Sequence, residues 1–181
     1  MSDLIKKMME RRSCRSYKPD PVPEVMLDEI IQAGLYAPSG MGKQSPIIIS
    51  VTDKDTRDML SRLNASVINA PAGMDPFYGA PAVLIVLADK SVPTYIYDGS
   101  VAMENMLLAA DSLGLGSCWI HRAKEEFEDA RMKAFLKKLG AEGDYEGIGH
   151  CIVGYPASPS KPAAPRNEGR VFKVKKADQS F

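Results

Sequence analysis

Glu10-Arg11-Arg12-Ser13-Cys14-Arg15-Ser16-Tyr17 gathers three guanidiniums and two serine hydroxyls within a few residues. Arginine presents rigid paired donors that match phosphate oxygens, and Ser13 and Ser16 add neutral donors that complete a shell without adding charge. Two readings stand for this stretch, a phosphate site and a solvated basic turn. A second basic locus, Lys161 through Arg166 to Arg170, lies in a proline-rich arm able to return to the same anion. A third segment, Ala37-Pro38-Ser39-Gly40-Met41-Gly42-Lys43-Gln44-Ser45-Pro46, reads either as a connecting loop or as a ligand loop. Its glycines let backbone approach a flat ligand, and Ser39, Lys43 and Gln44 offer polar contacts to that ligand's edge.

The elements that must position these residues follow from apolar spacing. Leu4, Ile5, Met8 and Met9 repeat at helical spacing, so a short helix delivers the arginine stretch. Pro23 suits a first helical position, and Met26, Leu27, Ile30, Ile31 and Leu35 mark the inner face of a second helix that ends by Ala37, because Pro38 follows. Ile47 to Thr52 and Ala82 to Ala88 read as strands buried on both faces. Between them, Asp53 caps a surface helix running to about Asn64, with Arg57, Asp58 and Arg62 facing water. From Ala65 to Pro81 the periodicity disappears; with Met74, Phe77 and Tyr78 this segment reads as a mobile apolar wall beside a substrate opening. Tyr97 to Ser100 leads into a helix through Leu113 that is apolar almost all round, which suits a core or a subunit interface. Gly114-Leu115-Gly116-Ser117-Cys118-Trp119-Ile120 passes from helix to strand. Phe127 to Leu139 forms one more amphipathic helix stopped by Gly140, and Gly147 to Tyr155 a last strand. Residues 156–181 form an extended C-terminal arm in which Val171-Phe172-Lys173-Val174 alternates and reads as an added edge strand, on this chain's own sheet or on a partner subunit.

Composition narrows the class. A chain of 181 residues with 45% hydrophobic and 25% charged residues suits one globular domain spanning 1–181. Lys+Arg and Asp+Glu both number 23, so the formal net charge is zero; that disfavours nucleic acid as a partner and still permits a local anion pocket. Neither a secretory leader nor a membrane span is visible, and Cys14, Cys118 and Cys151 are too separated for a disulfide framework, so the expected location is the cytoplasm. Gly114-x-Gly116 lacks the dinucleotide fingerprint and its order. His121 and His150 have no zinc-ligand spacing, so no metal is expected; His121 reads as a proton donor or as a plain wall residue. No protein-based acid, base or nucleophile stands out, which leaves the chemistry to a cofactor.

The arginine-serine start, the Ala-Pro-Ser-Gly-Met-Gly-Lys-Gln loop, the apolar helix running into Gly-Leu-Gly-Ser-Cys-Trp-Ile, and Gly154-Tyr155-Pro156 before a Pro-Arg tail together resemble the FMN-dependent nitroreductase family, in its shorter members. The resemblance implies an α+β fold, a mixed or antiparallel central sheet flanked by helices, in a domain-exchanging homodimer. It implies FMN as cofactor, with Arg11, Arg12, Ser13 and Arg15 on phosphate and ribityl groups, joined by Arg166. Ser39, Gly40 and Gln44 would lie near the isoalloxazine ring, with Gly116, Ser117 and Trp119 on its other side, in part from the second subunit. The implied activity is ping-pong transfer of reducing equivalents from NADH or NADPH to nitroaromatics or quinones, with no catalytic side chain. The alternatives are a non-catalytic flavin or nucleotide binder and a structural dimerisation module. Gly42 and Ser45-Pro46 depart from the family's usual Asn and Pro-Trp.

Overall fold

The computed structural model describes residues 1–174. Two central strands, β2 (Ala82–Asp89) and β4 (Tyr145–Gly154), organise it because both are buried over nearly their whole length and β2 is apolar but for its last residue. They pair antiparallel, and β1 (Pro46–Val51) and β3 (Gly116–Ile120) add antiparallel at the two edges, giving the order β1-β2-β4-β3. The sheet of named strands is thus antiparallel throughout. Alternation divides β2 between two cores. Leu84, Val86 and Ala88 face α2 (Glu24–Leu35) and α4 (Tyr95–Ser112), meeting Ile30, Met103 and Met106. Val83, Ile85 and Leu87 face the other way, toward Leu60, Phe77, Phe127 and Met132.

That second layer contains α3 (Lys54–Val67), α5 (Ala123–Glu128) and α6 (Ala130–Lys138). The Asp53 side chain caps α3 by accepting from the Thr56 N–H at 2.8 Å. The single helix expected over Phe127 to Leu139 is two: Asp129 adopts extended dihedrals and caps α6 by accepting from the Arg131 N–H. Its carboxyl is held down near a pKa of about 2 by the Arg131 guanidinium and backbone.

Three other expectations are corrected. Arg57 does not face water: it is buried, with Nε donating to the Ala80 carbonyl at 3.0 Å and its fork held by Asp58 and Asp75. Phe77 is not part of a mobile wall. It lies fully buried beneath the Arg57 guanidinium and against the His150 ring. Asp75 pins the same segment, accepting from Ser61 Oγ and from the backbone N–H groups of Phe77 and Gly79. The third concerns the arm: Val171 to Val174 form no strand on their own chain and stand exposed. The arm's last part, 175–181, lies outside the described residues.

The first helix, α1 (Asp3–Glu10), buries none of its residues; Leu4, Ile5, Met8 and Met9 are all about half exposed or more.

Candidate cofactor site

The arginine-serine stretch is laid along the free edge of β3. Ser13 bridges Ser117 in parallel, with the Cys14 N–H donating to the Ser117 carbonyl at 2.9 Å. Tyr17 bridges Pro156, Lys18 N–H donates to the Tyr155 carbonyl and Ala157 N–H to the Ser16 carbonyl, each at 2.9 Å. The stretch is therefore strapped to the ends of both β3 and β4. Gly116 permits this: a Cβ there would meet the Cys14 side chain at 2.7 Å. The Tyr17 hydroxyl donates to the Cys14 carbonyl, and burial, with the three nearby thiols, pushes the phenol well above its ordinary pKa.

Held this way, Arg12, Ser13, Cys14, Arg15 and Ser16 form one wall of a cavity of about 510 Å³, and Ser158, Pro159, Ser160 and Lys161 form the other. Three cations and four hydroxyls line it, and no carboxylate does. Arg12 Nη1 donates to the Met9 and Arg11 carbonyls, while its Nε is buried without an acceptor; Arg11 Nε and Nη1 are likewise unpartnered, but Arg11 does not line the cavity. Buried guanidinium nitrogens normally find partners, so these donors suit an anion. The tail thus returns to the arginine stretch as expected, but through Lys161. Arg166 is not brought there within one chain: it is exposed, and its Nη2 donates to the Ala164 carbonyl at 2.6 Å.

Ser117 and Trp119 offer a ligand less than their positions suggest. Ser117 is buried with Oγ donating to the Leu107 carbonyl at 3.4 Å, and the Trp119 ring lies over Gly149 with Nε1 buried and unpartnered.

The Ser39 to Gln44 loop is built at the other end of α4. Gly40 N–H donates to Asp98 Oδ1 at 3.0 Å, while Ser45 Oγ and Thr94 Oγ1 donate to Oδ2 at 2.7 and 3.2 Å. Burial raises the Asp98 carboxyl pKa, yet these donors more than offset it and leave it below the usual range. Gly40 has no room for a Cβ, which would meet Thr94 Oγ1 at 2.2 Å. Ser39 Oγ accepts the Gln44 N–H, and Gln44 and Gly42 sit exposed at positive φ.

The fold separates the two halves of the predicted site. Ser45 pairs with Asp89 at one end of β2 and one edge of the sheet, whereas Gly116 lies beyond the opposite end on the opposite edge. Eight residues of β2 and three strand spacings make this roughly 25–30 Å, too far for one mononucleotide to touch both within a chain.

The nitroreductase family profile matches residues 8–155. The chain belongs to the nitroreductase family. The family profile therefore runs from the end of α1, through both loops, to Tyr155. The chain is 32% identical over 161 residues to an Archaeoglobus fulgidus protein provisionally named NADH dehydrogenase/NAD(P)H nitroreductase, covering 86% of this chain and 87% of that one. It is 28% identical to the FMN reductase [NAD(P)H] of Bacillus subtilis, over 92% of this chain and 72% of that one. A crystal structure of a nitroreductase with bound FMN from Bacteroides fragilis superposes with a TM-score of 0.87 at 27% identity, covering 97% of this chain and all of that one.

Residues that spacing did not reveal include Asp98, Ser158 and Ser160, and a buried group of Asn64, Arg122, Glu126 and His150. Asp98 and His150 each left a trace, as a lone polar side chain within an apolar run.

Proposed function

We propose that this nitroreductase is an FMN-dependent oxidoreductase that takes reducing equivalents from NADH or NADPH and passes them to electron-poor acceptors such as nitroaromatics or quinones. The observation that carries the reading is the carboxylate-free cradle lined by Arg12, Arg15 and Lys161, with an orphaned Arg12 donor, at the β3 edge. Arg11, Arg12, Ser13, Arg15 and Lys161 bind the phosphate, as dianion-matched donors do. When bound, FMN would supply the redox chemistry that links the nicotinamide donor to the acceptor. No side chain needs to act as acid, base or nucleophile; the protein binds, orients and shields the ring.

The ring's other contacts come from a second copy. Ser39, Gly40 and Gln44 of one subunit meet the cofactor held by the Arg11 to Lys161 cradle of the other, because one chain keeps them apart. The exposed face of α1 supports self-association, as do Ile96, Tyr97 and Val101 exposed on α4. The open edge of β1 offers a place for the alternating Val171 to Val174 of a partner's arm. Arg166 joins the phosphate only if the paired arm carries it there. No helix among the described residues is long and apolar enough to cross a membrane; with three free cysteines, a cytoplasmic location fits.

Anaerobic titration tests the reading. The purified protein should carry a flavin absorption band that NADH or NADPH bleaches and a quinone or nitroaromatic restores. Flavin that binds but is reduced by neither nicotinamide would leave only a binding protein.

A further inference from the structure

Three consecutive residues where β3 ends are each gripped by side chains from elsewhere in the chain. His150 on β4 brings Nδ1 to 3.4 Å from the Ile120 carbonyl oxygen. Asn64 on α3 donates from Nδ2 to the His121 carbonyl at 2.9 Å, and its Oδ1 accepts Nε and Nη2 of Arg122 at 2.9 and 2.7 Å. The same Nδ2 donates to Glu126 Oε1, and Glu126 Oε2 lies 3.2 Å from His150 Nε2. Asn64, Glu126 and His150 are wholly buried.

The order of groups is chemically directed: guanidinium, amide, carboxylate, imidazole. An asparagine at the centre turns its oxygen to the cation and its nitrogen to the anion. Aspartate would set two carboxylates side by side, and leucine would strip Arg122 of its amide acceptor and Glu126 Oε1 of its donor. Such a buried polar group is costly where partners are missing, and here Glu126 Oε2 and His150 Nε2 face each other at 3.2 Å without an aligned hydrogen bond. What it holds is Arg122 at φ 79° and ψ 7°, a left-handed backbone that a side chain other than glycine adopts only under constraint. Glycine would make this turn unaided.

The corner is also well placed. The β3 edge starts beside the phosphate cradle at Gly116-Ser117 and reaches Ile120 about 14 Å further on. A mononucleotide with its phosphate in the cradle and its body along this edge brings its ring to His121-Arg122; this step rests on the FMN reading above. We propose that Asn64, Glu126 and His150 are positioning residues that clamp Arg122 in its left-handed conformation, so that the corner's backbone meets the flavin ring in one fixed geometry.

The test compares Arg122→Ala, Arg122→Gly, Asn64→Leu and the double variant Asn64→Leu/Arg122→Gly. The readouts are FMN affinity, the midpoint potential of bound FMN and the melting temperature of the apoprotein. Arg122→Ala and Asn64→Leu should shift the potential and weaken FMN binding about tenfold, the equivalent of one net hydrogen bond. Arg122→Gly should keep the wild-type potential and restore it in the double variant, even though the melting temperature there stays low because Glu126 has lost its donor. A glycine variant as perturbed as the alanine variant would overturn the proposal. So would potentials that stay at the wild-type value while melting temperatures fall, since the network would then be structural only. A wild-type protein that binds no FMN would instead sink the flavin reading. The clamp would then be judged by apoprotein melting: Arg122→Gly melting above Arg122→Ala supports it, and the reverse order overturns it.

Discussion

Asp98 shows how much one side chain can hold. Its carboxylate, 4% exposed, ties Gly40, Ser45 and Thr94 together at the head of α4. Replacing it by alanine removes three charge-assisted hydrogen bonds and orphans the Ser45 hydroxyl, so Asp98→Ala should cost on the order of 2–4 kcal/mol, read as a lowered melting temperature. Because the folded carboxyl pKa is depressed, the anchor is at full strength above the ordinary aspartate value of about 3.9 and is lost as pH falls through the folded value. Acid unfolding of Asp98→Ala should therefore begin from a lower plateau and show less dependence on pH below about 4. In the phosphate cradle, Lys161→Ala should weaken FMN binding roughly 10- to 100-fold with little effect on riboflavin, which lacks the phosphate. Arg166→Ala, turned to its own backbone in one chain, should do less; equal losses would mean that the arm moves Arg166 onto the anion. The arginine-serine stretch was legible because its donors are neighbours in sequence. The role of Asp98 was not, since Gly40 and Ser45, which it anchors, lie more than fifty positions away.

At the level of elements, the legible parts were those with a clean period. The two apolar strands and the α2 and α4 helices follow directly from side-chain spacing, and they form the layers that carry both loops. The segment from Ala65 to Pro81 misled because irregular sequence was read as loose structure. Its order comes from distant charges: Arg57 reaches the Ala80 carbonyl and Asp75, and Asp75 takes four donors. Burial opposes the Asp75 carboxylate, but Arg57, Ser61 and the two backbone donors keep its pKa below the usual range. Phe77 fills the space beneath this strap. Phe77→Ala should thus destabilise the protein by about 3–5 kcal/mol, as a large core truncation does, while leaving the ratio of quinone to nitroaromatic turnover unchanged. A changed ratio at unchanged stability would return Phe77 to the substrate wall. Tyr78 and Met74, both partly exposed, remain available to line an opening.

For the whole molecule, the α+β architecture and the family could be read from four ordered motifs, and so could a site shared between subunits, but not which loop each subunit would supply. That division depends on sheet order, which sets the Ser39 to Gln44 loop and the arginine cradle at opposite ends and edges. A helix with no buried residue and an arm with exposed Val171, Phe172 and Val174 are surfaces that the proposed dimer would cover. Ile5→Glu together with Met8→Glu should weaken self-association in sedimentation without lowering the helical signal, since neither side chain enters the core. The most direct measurement is complementation between two broken copies. Arg15→Ala damages the phosphate half, and Gly40→Ala damages the loop half through its clash with Thr94; each alone should hold little FMN. Mixed and reassociated, they should regain about a quarter of the wild-type flavin content, because half the dimers are mixed and each mixed dimer has one intact site. No recovery in mixtures shown to exchange subunits would mean that each chain builds its whole site alone.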